Sequence, residues 1–260
     1  MRERVPDLAR ARVLISNDDG VNAPGIKVLE HALKRIAGEV WVVAPETEQS
    51  AASHSLTLRT PLRIKKIGAR KFAVNGTPTD AVLLGVQHIM KGRRPDLVLS
   101  GVNRGGNLGE DVTYSGTVAA AMEGTLLGIP SVAFSLVTAD GAKAHWSTAE
   151  AYVEKVLKQL AGISFPKGVL VNVNIPDCPV GQVTGIESTR QGRRKIGCEL
   201  LEGRDPKGQP YFWIGAQRDE DTSRPGTDLE AVARGAVSVA PIGMDLHHAG
   251  MAKRLKAVLS

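Results

Sequence analysis

Between residues 13 and 176 the chain alternates short β-type apolar runs with segments of helical period, and this restricts the fold more than any other feature. Val13-Leu14-Ile15, Val40 to Val43, Leu97 to Leu99, Ser131 to Leu136 and Leu170 to Ile175 read as buried strands. Between them, Ile26 to Ile36 repeats apolar residues at 26, 29, 33 and 36, a helical period, with Pro24 and Gly25 suiting the first turn. Thr79 to Met90, Thr117 to Leu127 and Thr148 to Leu160 read as further helices. Strands separated by helices predict an α/β fold, a mainly parallel sheet covered on both faces.

After Pro176 the character changes. Val183 to Thr189 alternates like a strand, and Leu200-Leu201 and Tyr211 to Ile214 read as two strands around the turn-rich GRDPKGQP. Val237 to Val239 is one more strand, and Ala249 to Leu259 a short amphipathic helix. The expected organisation is a polar extension over 1–10 and a single domain over 11–260, with the core in 11–176 and the β-rich remainder in 177–260.

With 42% hydrophobic and 23% charged residues the chain is neither disordered nor fibrous. The net charge of +6 favours anions, yet the basic residues are dispersed, the densest cluster being Arg190, Arg193, Arg194 and Lys195. With 4% aromatics there is little for bases to stack on, so no stable nucleic-acid partner is expected. Cys178 and Cys198 form no CxxC pair, which fits a reducing, cytoplasmic setting. The charged start MRERVPDLARAR has no apolar core for a secretory signal, and no run is long enough for a membrane span.

Ligands of open α/β sheets bind beyond the carboxyl ends of the strands. Three oxygen-rich segments follow predicted strands there: Ser16-Asn17-Asp18-Asp19-Gly20, then Ala44 to Ser50, then SGVNRGGNLGEDVTYSGT over 100–117. Asp18 and Asp19 have two readings. Asp-Asp-Gly is good turn chemistry. Adjacent carboxylates also repel unless a cation stands against them, and Asn103 and Ser50 would add an amide oxygen and a hydroxyl. Such an all-oxygen set suits Mg²⁺ or Mn²⁺ and suits zinc poorly. Tyr114-Ser115-Gly116-Thr117 precedes a helix, so Ser115 or Thr117 is a natural cap, and the same N–H groups suit a phosphate. The preceding loop, with Gly101, Gly105, Gly106 and Gly109, permits close approach of backbone to ligand but matches neither the P-loop nor the dinucleotide pattern. Asp80 reads as a helix cap, and His54, His247 and His248 as structural or surface residues.

Together, VLISNDDGVNAPGI (13–26), VVAPETEQSAASHSLT (42–57), VNGTPTDAVLLG (74–85), PDLVLSGVNRGGNLGEDVTYSGTVAAAMEG (95–124), NVNIPD (172–177), RDPKGQPYFWIG (204–215) and PGTDLEAVARGAVSVAP (225–241) resemble the survival protein SurE family of metal-dependent acid phosphatases and 5′/3′-nucleotidases. The resemblance runs from about residue 11 onward. It implies a Rossmann-like three-layer core with an extended β-hairpin and a C-terminal arm swapped between subunits of a homodimer or homotetramer. It implies one divalent cation per subunit on Asp18, Asp19, Ser50 and Asn103, and phosphate binding on Asn107, Ser115, Gly116 and Thr117. Asp18 and Asp19 are then the expected catalytic residues, the substrate a nucleoside 5′- or 3′-monophosphate, with short polyphosphate a further candidate. Two other readings compete. A non-catalytic anion binder needs no paired carboxylates. A haloacid-dehalogenase-type phosphatase wants its two aspartates two residues apart, and here they are adjacent.

Overall fold

The computed structural model describes residues 3–5, 7–139, 141–196, 200–215 and 218–259; Cys198 lies outside them. In chain order the elements are β1 (Glu3–Arg4), β2 (Arg12–Ser16), α1 (Pro24–Lys34), β3 (Glu39–Pro45), β4 (Ile64–Gly68), β5 (Lys71–Val74), α2 (Pro78–Leu84), β6 (Leu97–Arg104), α3 (Gly116–Leu126), β7 (Ser131–Val137), α4 (Trp146–Leu160), β8 (Ser164–Phe165) and β9 (Val169–Pro176). Then follow β10 (Gly185–Ser188), β11 (Arg194–Ile196), β12 (Leu200–Arg204), β13 (Pro210–Ile214), β14 (Arg218–Glu220), α5 (Asp228–Ala233), β15 (Ala236–Gly243) and α6 (Ala249–Leu259).

The main sheet runs β10-β15-β9-β7-β6-β2-β3-β5-β4 and is parallel except where β15 meets β9 and β4 meets β5. Strand alternation explains the layers. Val13 and Ile15 point into one apolar layer with Ile26, Leu29 and Leu33 of α1 and Val153 and Leu157 of α4. Leu14 points the other way, to Val82 of α2 and Ala120 of α3. Burying one Leu or Ile side chain contributes about 1.5–3 kcal/mol, so the α1 stripe alone anchors that helix. The chain moves outward from β2 to β3, then returns to place β6 on the opposite side of β2. Helices α1 and α3 therefore cover opposite faces, and a crevice opens between the carboxyl ends of β2 and β6.

Several boundaries differ from the sequence reading. The helix expected over 79–90 is α2 through Leu84 followed by a π-helical turn over Gly85–Ile89. β4 and β5 had no sequence-based prediction. The described residues among 3–10 do not stand outside the fold: Glu3 and Arg4 pair with Phe165 and Ser164, and Val5 and Leu8 are buried. The hairpin expected over 200–214 is present as β12 and β13, with β11 and β14 pairing at its root.

Candidate functional site

β2 ends at Ser16, and the next residues turn sharply into the crevice. The Asn17 amide donates to the Gly20 carbonyl at 2.9 Å, and Gly20 has a φ of 96°, a conformation that L side chains rarely adopt. The turn thus serves both readings of Asp-Asp-Gly, because it also presents two carboxylates to one cleft of about 830 Å³.

Asp18 is buried, and its Oδ1 accepts a hydrogen bond from the Thr117 hydroxyl. The Thr117 backbone N–H also supports this carboxylate. Asp18 therefore sits on the amino end of α3, where the helix dipole favours an anion. Gly116 makes this approach possible: a Cβ there would lie 2.7 Å from the Asp18 Cβ. Burial nevertheless raises the Asp18 pKa, with the Thr117 hydrogen bond opposing. Asp19 is half-buried, and burial followed by the Asp18 charge pushes its pKa up to about 6. The Arg104 backbone N–H and guanidinium charge act in the other direction.

Ser50 lies on the loop after β3. That loop is tied down at several points. The Gln49 N–H donates to the Asp18 carbonyl at 2.7 Å, and the Ser53 hydroxyl to the Thr113 carbonyl at 2.8 Å. Thr57 donates to Asp80 from its N–H at 3.0 Å and from its hydroxyl at 2.6 Å. Asp80 also completes a capping box with Thr77, so its expected capping role stands. His54 pairs with Glu123 at 3.1 Å, a structural contact. Asn103 is the penultimate residue of β6, just after a break in the β6–β7 register between Ser100 and Asn103. Its side-chain nitrogen donates to the Gly105 carbonyl at 2.8 Å, leaving the amide oxygen available to a cation.

Asp18, Asp19, Ser50, Asn103, Asn107 and Ser115 all line the one cleft. Gly116 and Thr117 stand behind Asp18 instead. The Thr117 hydroxyl, expected on a phosphate, is committed to the carboxylate. Asn107 is clamped by two asparagines of β9: its N–H donates to Asn174 at 2.9 Å, and its carbonyl accepts from Asn172 and Asn174. Ser115 caps α3 by accepting from the Val118 N–H at 3.0 Å.

The donor set fits a hard divalent cation. Two adjacent carboxylates are held at raised pKa, Asp18 chiefly by desolvation and Asp19 by desolvation and then the Asp18 charge, with an exposed hydroxyl and a free amide oxygen beside them. Among the described residues no group of three or more His, Cys, Asp or Glu side chains is arranged to hold a metal, so a cation here would keep several waters, as magnesium and manganese do.

The sequence reading missed Glu48 and Arg104, which also line the cleft. Each neighbours a residue it singled out, Ser50 and Asn103, and their charge was the available signal. The basic cluster is not a simple solvated face. Arg194 is buried against Asp111 at 3.2 Å, and Lys195 donates to the Tyr114 hydroxyl at 2.7 Å. Leu108, Val137, Leu229 and Val232 give the cleft an apolar wall. Among the described residues no helix is long and apolar enough to cross a membrane.

Residues 13–197 match the family model described as survival protein SurE. The 5′-nucleotidase SurE of Paramagnetospirillum magneticum is 60% identical over 252 residues, covering 97% of this chain and 97% of its own. The 5′-nucleotidase SurE of Rhodospirillum rubrum is 54% identical over 243 residues, covering 92% and 93%. The crystal structure of the SurE protein from Aquifex aeolicus superposes with a TM-score of 0.84 at 41% identity, covering 96% of this chain and all of that one. With the paired carboxylates, the glycine-rich loop and the capped helix gathered in one crevice, these matches place the chain in the survival protein SurE family.

Proposed function

We propose that this chain is a 5′-nucleotidase: a divalent-cation-dependent phosphomonoesterase that releases phosphate from nucleoside 5′- and 3′-monophosphates, with short polyphosphate as a further substrate. The naming of its close relatives supports the nucleotidase reading. The observation that carries the chemistry is the adjacent pair of buried Asp18 and half-buried Asp19 facing the same cleft as Ser50, Asn103, Asn107 and Ser115.

In this reading Asp18, Asp19, Ser50 and Asn103 hold one Mg²⁺ or Mn²⁺ per subunit. When bound, the cation offsets phosphate charge and makes water at the site more acidic. Thr117 and Gly116 keep Asp18 in place. Ser115, Asn107 and the Arg104 guanidinium face the remaining phosphate oxygens and stabilise the charge that spreads over them. Asp19, the more open carboxylate, takes the proton of the attacking water. The phosphorus–oxygen ester bond breaks, and the nucleoside oxygen leaves as an alcohol after taking a proton from solvent. A direct aspartyl nucleophile is the alternative, and trapping an acyl-phosphate on Asp18 or Asp19 would favour it. The apolar wall of the cleft suits the nucleoside.

The exposed apolar residues of β12, β13 and α6 support assembly as a homodimer or homotetramer through the hairpin and the C-terminal arm. A cytoplasmic setting completes the reading. The test is phosphate release from a panel of 5′- and 3′-nucleoside monophosphates and short polyphosphate, with Mg²⁺ or Mn²⁺ and then with excess chelator. Release that the chelator abolishes is expected. No release with any metal would move the assignment to an anion-binding protein.

A further inference from the structure

Ser50 is the least constrained member of the proposed cation ligand set. It is exposed, it lies on a loop, and a serine hydroxyl rotates freely unless something takes its proton. Here something does: the Ser50 hydroxyl donates to Glu48 Oε1 at 2.5 Å. Glu48 lines the same cleft as Asp18 and Asp19. A third carboxylate at the mouth of a site already holding two is unfavourable unless it has work to do there.

We propose that Glu48 is a positioning residue for the cation: by accepting the Ser50 proton it fixes the hydroxyl rotor and leaves both oxygen lone pairs free for the metal. This rests on the reading that Asp18, Asp19, Ser50 and Asn103 hold a divalent cation. A hydrogen bond to a carboxylate is short and strong, and it raises electron density on the donor oxygen. Carboxylates that orient metal ligands in this way are worth about 10–100-fold in metal affinity. Glu48 acts through Ser50, so its effect must disappear when the hydroxyl is absent. A carboxylate acting only through its field would attract the cation with or without that hydroxyl.

The experiment is Mn²⁺ titration of the full chain by calorimetry or by the spin-resonance signal of free Mn²⁺, with no substrate. The variants are wild type, Glu48→Met, which removes the acceptor at similar size, Ser50→Ala, the double variant, and Asp18→Asn. The expected result is that Glu48→Met weakens Mn²⁺ binding about 10-fold, the lower end for such partners. In the Ser50→Ala background the same change alters Kd by less than about two-fold, the non-additivity of a coupled pair. Equal weakening in both backgrounds would overturn the proposal. So would an unchanged Kd in Glu48→Met while wild type binds and Asp18→Asn does not, and in that case the metal reading stands. If wild type fails to bind Mn²⁺, the metal reading fails and takes this proposal with it. Where Ser50→Ala binds too weakly to titrate, salt discriminates. A field effect shrinks as ionic strength rises from about 50 mM to about 500 mM. A hydrogen-bonded one persists, so a Glu48→Met effect that vanishes with salt overturns the proposal.

Discussion

Asp18 carries a buried charge whose partners lie far away in sequence. Thr117 is 99 residues on, and it supplies both a hydroxyl and an N–H. Thr117→Val removes the hydroxyl and keeps the shape. It is expected to cost about 1–3 kcal/mol, the penalty for stripping a partner from a buried polar group, with Thr117→Ser restoring most of it. Thermal melting checks this. The raised pKa values give a second prediction. Asp19 keeps its proton up to about pH 6 when folded, while the unfolded chain loses it near the ordinary carboxylate value. The folded state then binds more protons, so this group makes the metal-free protein less stable as pH rises towards about 6, and the deficit persists above. A cation relieves that deficit. The rise in Tm on adding Mn²⁺ is therefore expected to be larger at about pH 7.5 than at about pH 5, where protons compete for the carboxylates; an equal rise would contradict it. Asp18 and Asp19 were legible because they are contiguous and follow a strand. The service of Thr117 to Asp18 was not: a Ser/Thr-rich helix start reads equally as a cap or an anion site, and only the fold shows which anion occupies it.

The elements divide by how much of their signal is local. Strands β2, β6, β7 and β9 are buried on both faces and stand out as apolar runs. β4 and β5 lie at the sheet edge with Lys65, Lys66, Arg70 and Lys71 in or beside them. Such charges protect an edge from pairing with other chains, and they also hide the strand from a hydrophobic pattern. The amino-terminal residues read as a polar tail because Val5 and Leu8 are isolated among charges, yet both are buried. The loop carrying Ser50 is held through Asp80, which accepts from Thr57 twice and from the Thr77 N–H. Asp80→Ala is expected to destabilise the protein by about 1–3 kcal/mol and to weaken Mn²⁺ binding without touching a ligand. Melting and metal titration on the same sample separate the two effects; an unchanged metal Kd would mean the loop holds its shape without that anchor.

At the scale of the molecule, the crevice exists because the strand order reverses between β2 and β6, and that reversal puts α1 and α3 on opposite faces. The alternation of runs made the parallel sheet legible, and the rule for open α/β sheets pointed to the sheet edge where the cleft lies. The β-rich remainder was legible only as strands. On β12, β13 and α6, Leu200, Phe212, Trp213, Ile214, Leu255 and Val258 are all exposed, and the proposed assembly would cover them. Removing residues 200–214 is expected to lower the assembly state in analytical ultracentrifugation, and an unchanged sedimentation coefficient per subunit mass would contradict assembly through the hairpin. The central claim is that phosphate ester hydrolysis depends on a cation held at Asp18 and Asp19. Its most direct test is kcat/KM for a nucleoside 5′-monophosphate against Mn²⁺ concentration, in wild type and Asp18→Asn. The account predicts wild-type activity that saturates with Mn²⁺, vanishes with chelator, and falls at least about 100-fold in Asp18→Asn, the scale of losing one transition-state charge stabiliser. Wild-type rates in Asp18→Asn, or chelator-resistant hydrolysis, would contradict it.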